Sequence, residues 1–399
     1  MRDILALSAG LADDLHRLDL FKSIDVALMP APTSSPEDVD IVMQLRDSPR
    51  FWLKSSSDVG NGEGSVSLQA RIRNIFGGAE RLEGSYELGT RTRTALNVQL
   101  TTPIAASPDH QASLSLFNQE RDKRYYGSHF ESATGLKTAL AVANPRKGSS
   151  HELAWELTWR RIGRLAGQAS RSTRRSRGDD IKSALAHTYI RDTRDEIFMG
   201  QEGSLLKSTT ELASGWLGGE RDHLRWEGEG SVSRSFQHSE GYGWSLGART
   251  GLMTPLPSPS GSNATSLHPS DLFHLGGPTS LRMFGANSLG PKDAADSVGG
   301  SAFWSLGGSL YAPIPHKEHW PLKLHSFCNA GQLSRVDGQS ARLAARELVQ
   351  PSSSVGFGLL YTQGPLRLEL NAGMPLTARA GDGVRKGLQI GIGIDFLGG

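Results

Sequence analysis

Several clusters in this chain have residue types and spacings that could do chemistry. Gly243-Trp244-Ser245-Leu246-Gly247 has the spacing of a nucleophile elbow, in which a serine is exposed at a sharp turn between a strand and a helix. Here the serine sits inside an alternating run, with Trp244, Leu246 and Ala248 on one face, so a strand interior is expected instead. His316-Lys317-Glu318-His319 offers two imidazoles close in sequence, but a metal site needs further ligands and none lies nearby; a solvated loop is expected. Arg171, Arg174, Arg175 and Arg177 form a basic run suited to acidic lipid headgroups, or to an exposed loop or barrel rim. Asn263-Ala264-Thr265 has the form of a glycosylation sequon, meaningful only on a secretory route. No coherent catalytic site emerges, so the chain reads as no enzyme, with no metal and no cofactor.

One stretch carries more information: Phe273-His274-Leu275-Gly276-Gly277-Pro278-Thr279-Ser280-Leu281-Arg282-Met283-Phe284-Gly285. It lies in the longest connection, from about 256 to 300, and loops of that length without structure of their own are functional or disordered. A tight Gly-Gly-Pro turn followed by one arginine between apolar neighbours reads as a loop that folds back and seeks an acidic or polar partner. An exposed loop arginine is the plainer alternative.

The elements that must hold such a loop follow from composition and periodicity. The 399 residues carry 43 Lys+Arg against 41 Asp+Glu, a formal net charge of +2, without the basic excess of a nucleic-acid-binding domain. Hydrophobic residues make up 37% and no run of roughly 20 apolar residues occurs, which excludes a polytopic helical membrane protein. The single cysteine, Cys328, excludes an intramolecular disulfide framework. Asp3, Asp13 and Asp14 interrupt the N-terminus, which does not read as a secretory signal. Glycine stands out: 47 residues exceed the usual share of about 7%.

Residues 1–47 differ from the rest. Leu5, Leu7, Leu11, Leu15 and Leu18 recur at helical spacing, then 20–28 and 39–45 alternate like strands around a Pro/Ser-rich turn. From about residue 50 the period becomes two and stays there. Val66, Leu68, Ala70 and Ile72 oppose Ser65, Ser67, Gln69 and Arg71; Leu153, Trp155, Leu157 and Trp159 oppose Glu152, Glu156 and Thr158; Leu366, Leu368, Leu370, Ala372 and Met374 oppose Arg367, Glu369 and Asn371. Roughly sixteen such segments of about ten residues follow one another, the length a tilted membrane strand needs. A soluble sandwich also alternates. Three features favour a closed membrane barrel: charged faces repeated strand after strand, aromatics near strand ends such as Tyr86, Trp159 and Phe396, and the absence of helical spans in a setting that admits only helices or closed barrels.

The segment LGGPTSLRMFGANSLGP (275–291) with the following GGSAFWSLGGSLYAPIP (299–315) resembles loop six and the next strand of the core barrel of the mitochondrial sorting and assembly machinery, within the BamA-type outer-membrane insertase superfamily. Leu20-Phe21-Lys22-Ser23-Ile24-Asp25-Val26 is similar to the POTRA signature, and Phe327-Cys328-Asn329-Ala330-Gly331 and Leu366-Arg367-Leu368-Glu369-Leu370-Asn371 are further matches. The resemblance covers essentially the whole chain. It implies an all-β fold: a sixteen-stranded antiparallel transmembrane barrel over 48–399, preceded by a partial POTRA-like α+β module over 1–47 whose opening strand and first helix are missing. It also implies that the loop-six tip, with Gly276, Gly277, Arg282 and Phe284, turns into the lumen. The family's intervening glycine is Met283 here, a residue for which positive φ is costly. Arg282 is expected to dock against Asn329, with Glu369 as counter-charge on the same polar face.

The resemblance further implies a function without covalent catalysis: insertion of β-barrel precursor proteins into the mitochondrial outer membrane. Its expected partners are those precursors, accessory subunits of a sorting and assembly complex on the cytosolic face, and outer-membrane lipids, with no nucleic acid. The N-terminal module would sit in the intermembrane space. The first strand, with Leu53, Ser55, Ser57 and Val59, would meet the last, with Gln389, Gly391, Gly393, Ile394 and Phe396, in a weak seam that opens sideways and templates incoming strands. The last strand also fits the polar-x-Gly-x-x-hydrophobic-x-hydrophobic pattern of a mitochondrial barrel-targeting signal. Three alternatives stand beside this reading: a passive pore, a bacterial or plastid relative, and an enzyme on a soluble β-fold.

Overall fold

The computed structural model describes residues 2–30, 39–60, 63–195, 202–236, 241–257, 267–278, 280–317, 320–336, 346–363 and 366–394. Helix α1 (Arg2–Arg17) precedes the antiparallel hairpin β1 (Phe21–Pro30) and β2 (Val39–Asp47). Across that ladder Ile24, Val26 and Leu28 face Leu45, Met43 and Ile41, so period two collects the apolar side chains on one face.

The remaining long strands are β3 (Phe51–Gly60), β4 (Glu63–Arg73), β5 (Arg81–Gly89), β6 (Thr92–Ile104), β7 (Ser107–Asp122), β8 (Phe130–Asn144), β9 (Ser149–Gly163), β10 (Gly178–Asp192), β11 (Gly203–Ala213), β12 (His223–Ser235) and β13 (Gly243–Pro255). After the short pair β14 (Lys292–Asp293) and β15 (Asp296–Ser297) come β16 (Ala302–Pro313), β17 (Leu322–Ser334), β18 (Ser352–Gln363), β19 (Leu366–Thr377) and β20 (Gly387–Ile394). The long strands form one sixteen-stranded antiparallel meander that begins at β3 and ends at β20. The sheet curls until these two strands come within 8 Å, Cα to Cα, which makes it a barrel. Short helices α2 (Arg124–Gly127) and α3 (Arg171–Arg175) lie in connections, so the arginine run sits at the rim. The Gly243–Gly247 motif lies wholly in β13. Asn263-Ala264-Thr265, Glu318-His319, Thr279 and Phe396 lie outside the described residues.

Alternation decides which side faces lipid. Leu53, Leu116, Leu140, Leu206, Leu246 and Leu306 point outward and stay about half exposed, a contiguous apolar girdle far larger than soluble surfaces carry. On β9 the outward Trp159 is exposed while its neighbours Thr158 and Arg160 are buried inside. Among the described residues no helix is long and apolar enough to cross a membrane.

Antiparallel order places connections 74–80, 105–106 and 145–148 at the end carrying the N-terminal module. Arg73 Nη2 meets Asp19 at 2.9 Å and Arg17 pairs with Asp109, which seats the α1–β1 corner on this mouth. The longer connections 123–129, 164–177, 214–222 and 256–301 lie at the opposite end. There the apolar core is found inside the barrel: Leu272, Phe273, Leu275, Leu281, Phe284 and Leu289 of the 256–301 connection pack on Met253, Phe303 and Leu333 of the wall.

A buried ionic cage roots this connection. Arg160 Nη1 donates to Asp271 Oδ1 at 2.6 Å, and Lys182 Nζ reaches the same oxygen at 3.3 Å and Glu211 Oε1 at 2.7 Å. Burial opposes the charge on Asp271, but Lys182 and Arg160 outweigh it and hold the carboxyl well below the usual range. Burial first, then the Arg160 charge, pushes His268 down to about 4; burial and Lys123 do the same to His274. Both imidazoles are therefore neutral when docked but take up protons near 6.5 when released. Docking is fully favoured above about pH 6.5 and loses stability as pH falls from there toward 4; Asp271 adds nothing to this window, since its loss begins below 3.8. Amide-exchange protection of residues 267–275 should fall between pH 7 and pH 4.5, and unchanged protection would contradict this coupling.

Candidate functional site

The long connection ends its inward excursion at Arg282, on a wall built by β17 to β20. Register brings Leu360 opposite Glu369, Glu369 opposite Gly391 and Asn371 opposite Gln389. Period two then turns Asn329, Ser354, Glu369, Asn371, Gln389 and Gly391 toward the lumen, all of them buried. Gly276 and Gly277, at φ +111° and +121°, reverse the chain ahead of the tip.

Arg282 Nε donates to Glu369 Oε2 at 3.0 Å and Nη2 to Oε1 at 3.1 Å, a two-pronged charge-assisted contact. Its Nη1 approaches Asn329 Oδ1 at 3.5 Å, and the guanidinium carbon lies 5.1 Å from the Phe327 ring centre. Asn371 Nδ2 donates to Glu369 at 3.0 Å, and the Asn371 carbonyl faces His325 Nε2 at 2.6 Å, so the carboxylate is held from the wall as well. Ser354 Oγ donates to the Arg282 carbonyl at 2.8 Å.

Met283 adopts φ +66° and is fully buried. Such a conformation costs an L-residue about 1–2 kcal/mol, and the surroundings offset it. Its N–H donates to Gln389 Oε1 at 2.9 Å, and its carbonyl accepts from the Arg385 N–H at 2.9 Å. Its sulfur fills a recess left by Gly373, where an added Cβ would stand 3.1 Å from Sδ. Gln389 Nε2 in turn donates to the carbonyl of Phe284, whose ring is buried, at 3.2 Å. Gly391 lets Pro278 approach, since a Cβ there would lie 3.3 Å from Pro278 Cβ. The tip is thus clamped to the last strand and to the segment before it.

Of the remaining candidates, Leu53, Ser55 and Ser57 project outward from β3, exposed. Val59 lies in β3, and Gly393 and Ile394 lie in β20. Sequence reasoning missed the clamp function of Gln389, the Gly373 recess and the Asp271 cage. Asp271 is one of several acids in a connection rich in polar residues, so nothing in the sequence singles it out for the cage. Glu211, His223 and Asp271 bring ligand atoms within 4.8 Å of one another, but the Lys182 ammonium contacts both carboxylates and takes a cation's place. The arrangement offers no nucleophile–base pair; its chemistry is recognition and bracing.

Removing one partner of a buried pair leaves an uncompensated charge worth roughly 3–5 kcal/mol. Arg282→Ala and Glu369→Ala should each lower barrel stability by about that amount, whereas Arg282→Met with Glu369→Leu should be milder than either. Thermal unfolding of the parent and these variants in detergent micelles checks this; adding Arg282→Ala/Glu369→Ala closes a double-mutant cycle. An Arg282→Ala barrel as stable as the parent would contradict it.

The Omp85 superfamily domain matches residues 74–396. A SAM50-like protein of Schizosaccharomyces pombe is 35% identical over 94% of this chain and 78% of its own length. The sorting and assembly machinery component 50 homolog of Xenopus tropicalis is 30% identical over 99% of this chain and 84% of its own. In fold, the chain is similar to BamA from Haemophilus ducreyi lacking POTRA domains 1–3, with a TM-score of 0.79 at 14% identity, covering 97% of this chain and 78% of that one. The fold is thus similar at low sequence identity, and the chain belongs to the Omp85 superfamily, among its sorting and assembly machinery component 50 relatives.

Proposed function

We propose that the boundary between β3 and β20 is a lateral gate, and that loop six (256–301) braces one side of it. The chain works in the mitochondrial outer membrane, where it inserts and assembles β-barrel precursor proteins. One observation carries the gate: β3 and β20 are the terminal strands of the sheet, side by side but joined by no ladder among the described residues. Every other neighbouring pair of long strands in the barrel is hydrogen-bonded.

An unpaired strand edge is a template for another strand. In lipid each unsatisfied backbone group costs several kcal/mol, so a precursor strand entering the bilayer gains by pairing with an exposed edge, and the gate supplies one on each side. β-Augmentation of this kind draws its affinity from main-chain hydrogen bonds, which suits a machine that accepts many sequences. Loop six makes the two sides unequal: Gln389 of β20 and residues 383–385 grip its tip, while β3 contributes no hydrogen bond to the tip among the described residues. The braced β20 is the fixed edge in this reading, and β3 the yielding one.

The N-terminal segment 1–47 acts as the partial POTRA-like module. Seated on the mouth opposite loop six, it faces the intermembrane space and meets precursors first. Accessory subunits of the sorting and assembly complex occupy the loop-six face, which is cytosolic, and outer-membrane lipid covers the apolar girdle. The gate is tested by locking it. With Cys328 changed to serine, a disulfide between cysteines placed at Ser55 or Ser57 and at one of residues 388–391 should block precursor insertion, and reduction should restore it. Normal insertion with the bond fully formed would refute lateral opening.

A further inference from the structure

A cleft of about 430 Å³ opens at the loop-six end of the barrel, away from both the gate and the Arg282 tip. It falls within the range of small-ligand sites, roughly 300–1,000 Å³. Its walls come from separate connections: Lys123 and Tyr126 precede β8, Arg171 and Arg175 stand on α3, His274 and Asp293 belong to loop six, and Arg335 follows β17.

The wall is built before any ligand arrives. Ser170 caps α3 by accepting from the Thr173 N–H at 3.2 Å. Asp296 of loop six accepts from the Ser170 N–H at 2.8 Å and the Thr173 hydroxyl at 2.9 Å. Asp293 accepts from the Ser172 N–H at 2.8 Å, so the one carboxylate lining the cleft already has donors. Arg171 and Arg175, one helical turn apart on the same side, form no hydrogen bond or ion pair among the described residues; Arg171 acts on Asp293 only through longer-range attraction. Cations therefore outnumber acids in the lining, even with Lys123 paired to Glu131 at 2.6 Å.

A second observation comes from the cleft's own wall, which includes His274. His274 Nδ1 is buried with no hydrogen-bond partner, while its ring rests edge-on against Tyr126 at 4.9 Å. A buried polar atom without a partner costs about 1–3 kcal/mol, and a turn of the His274 ring toward the cleft it lines would let a ligand oxygen satisfy it.

We propose that this cleft binds a compact phosphate-bearing anion, held by the Arg171 and Arg175 guanidinia and by His274 Nδ1. A phosphate monoester carries about −1.5 to −2 charges and three strong acceptor oxygens, which suits several cations converging from different loops on one small volume. A single carboxylate would leave most of them unmatched. Guanidinium forks favour the planar, two-pronged recognition that phosphate permits. Bound there, the anion ties α3 to loop six and stiffens the loop that braces β20. The phosphate could come from a soluble compound or from a lipid headgroup.

The full chain, purified in detergent micelles, would be titrated with inorganic phosphate, pyrophosphate and O-phosphoserine at constant ionic strength. Thermal shift and amide exchange over 171–176 and 267–275 supply the readouts. Saturable protection of both segments is expected, weakened roughly tenfold or more in Arg171→Gln/Arg175→Gln. These exposed arginines leave folding intact, which unchanged heat-modifiable migration would confirm. A parallel arm uses nanodiscs with phosphatidic acid or with phosphatidylcholine alone. Protection only with phosphatidic acid identifies the headgroup as the source; protection with the soluble probes identifies a free phosphate. The proposal is overturned if chloride or a glutamate-rich peptide gives the same protection, or if the double variant binds as tightly as the parent.

Discussion

A carboxylate cannot be left alone on the wall of a closed barrel, and Glu369 is answered by a cation carried in on a loop. That pairing requires Arg282 to be carried inward from the rim, and the rest of the upper barrel follows from the requirement. The connection must be long enough to reach, its tip must reverse tightly at Gly276 and Gly277, and the wall must be thin where the tip lands. Gly373 and Gly391 provide that thinness by admitting Met283 and Pro278. The apolar residues on the loop then bury themselves against Met253, Phe303 and Leu333 of the wall, so the chain's core is a loop inside a barrel.

Anchoring is two-ended and uneven. At its root the loop is tied by Asp271 to Arg160 and Lys182 on β9 and β10; at its tip it is tied to β17–β20. The tip reaches as far as β20, and among the described residues no hydrogen bond carries it across to β3. The seam is therefore supported from one side. In the proposed gate, such asymmetry would let a rigid edge preserve register while its partner moves. Strain at Met283 fits this picture: an L-residue persists at positive φ only where the surroundings over-determine it, and here backbone, side chain and recess all do.

Much of this was legible in the sequence. Alternation such as Leu153/Trp155/Leu157/Trp159 against Glu156/Thr158 assigns each strand and its faces, because period two survives any error in strand ends. Parity alone puts Glu369 and Asn329 on the inner face, and the odd arginine between apolar neighbours in a long connection marks the tip. What parity cannot supply is register. Arg160 and Asp271 are 111 positions apart, and only the accumulated offsets of several strand pairs bring them to one spot. The Gly373 recess is hidden for the same reason: one glycine in a chain rich in them gains meaning only when the residue facing it is known. Gln389 was read for its place in a targeting pattern, and its side-chain amide turns out to clamp the loop.

The central claim is that β20 is the fixed side of the seam and β3 the moving one. Spin labels on β3 and β20, compared with a pair on β19 and β20, measure it by pulsed electron–electron distance spectroscopy in lipid nanodiscs, with and without an arrested barrel precursor. The account predicts that the β3–β20 distance lengthens and broadens when the precursor is bound while the β19–β20 distance stays narrow and unchanged. A β3–β20 distance that does not respond, or a β19–β20 pair that separates with it, would contradict the account.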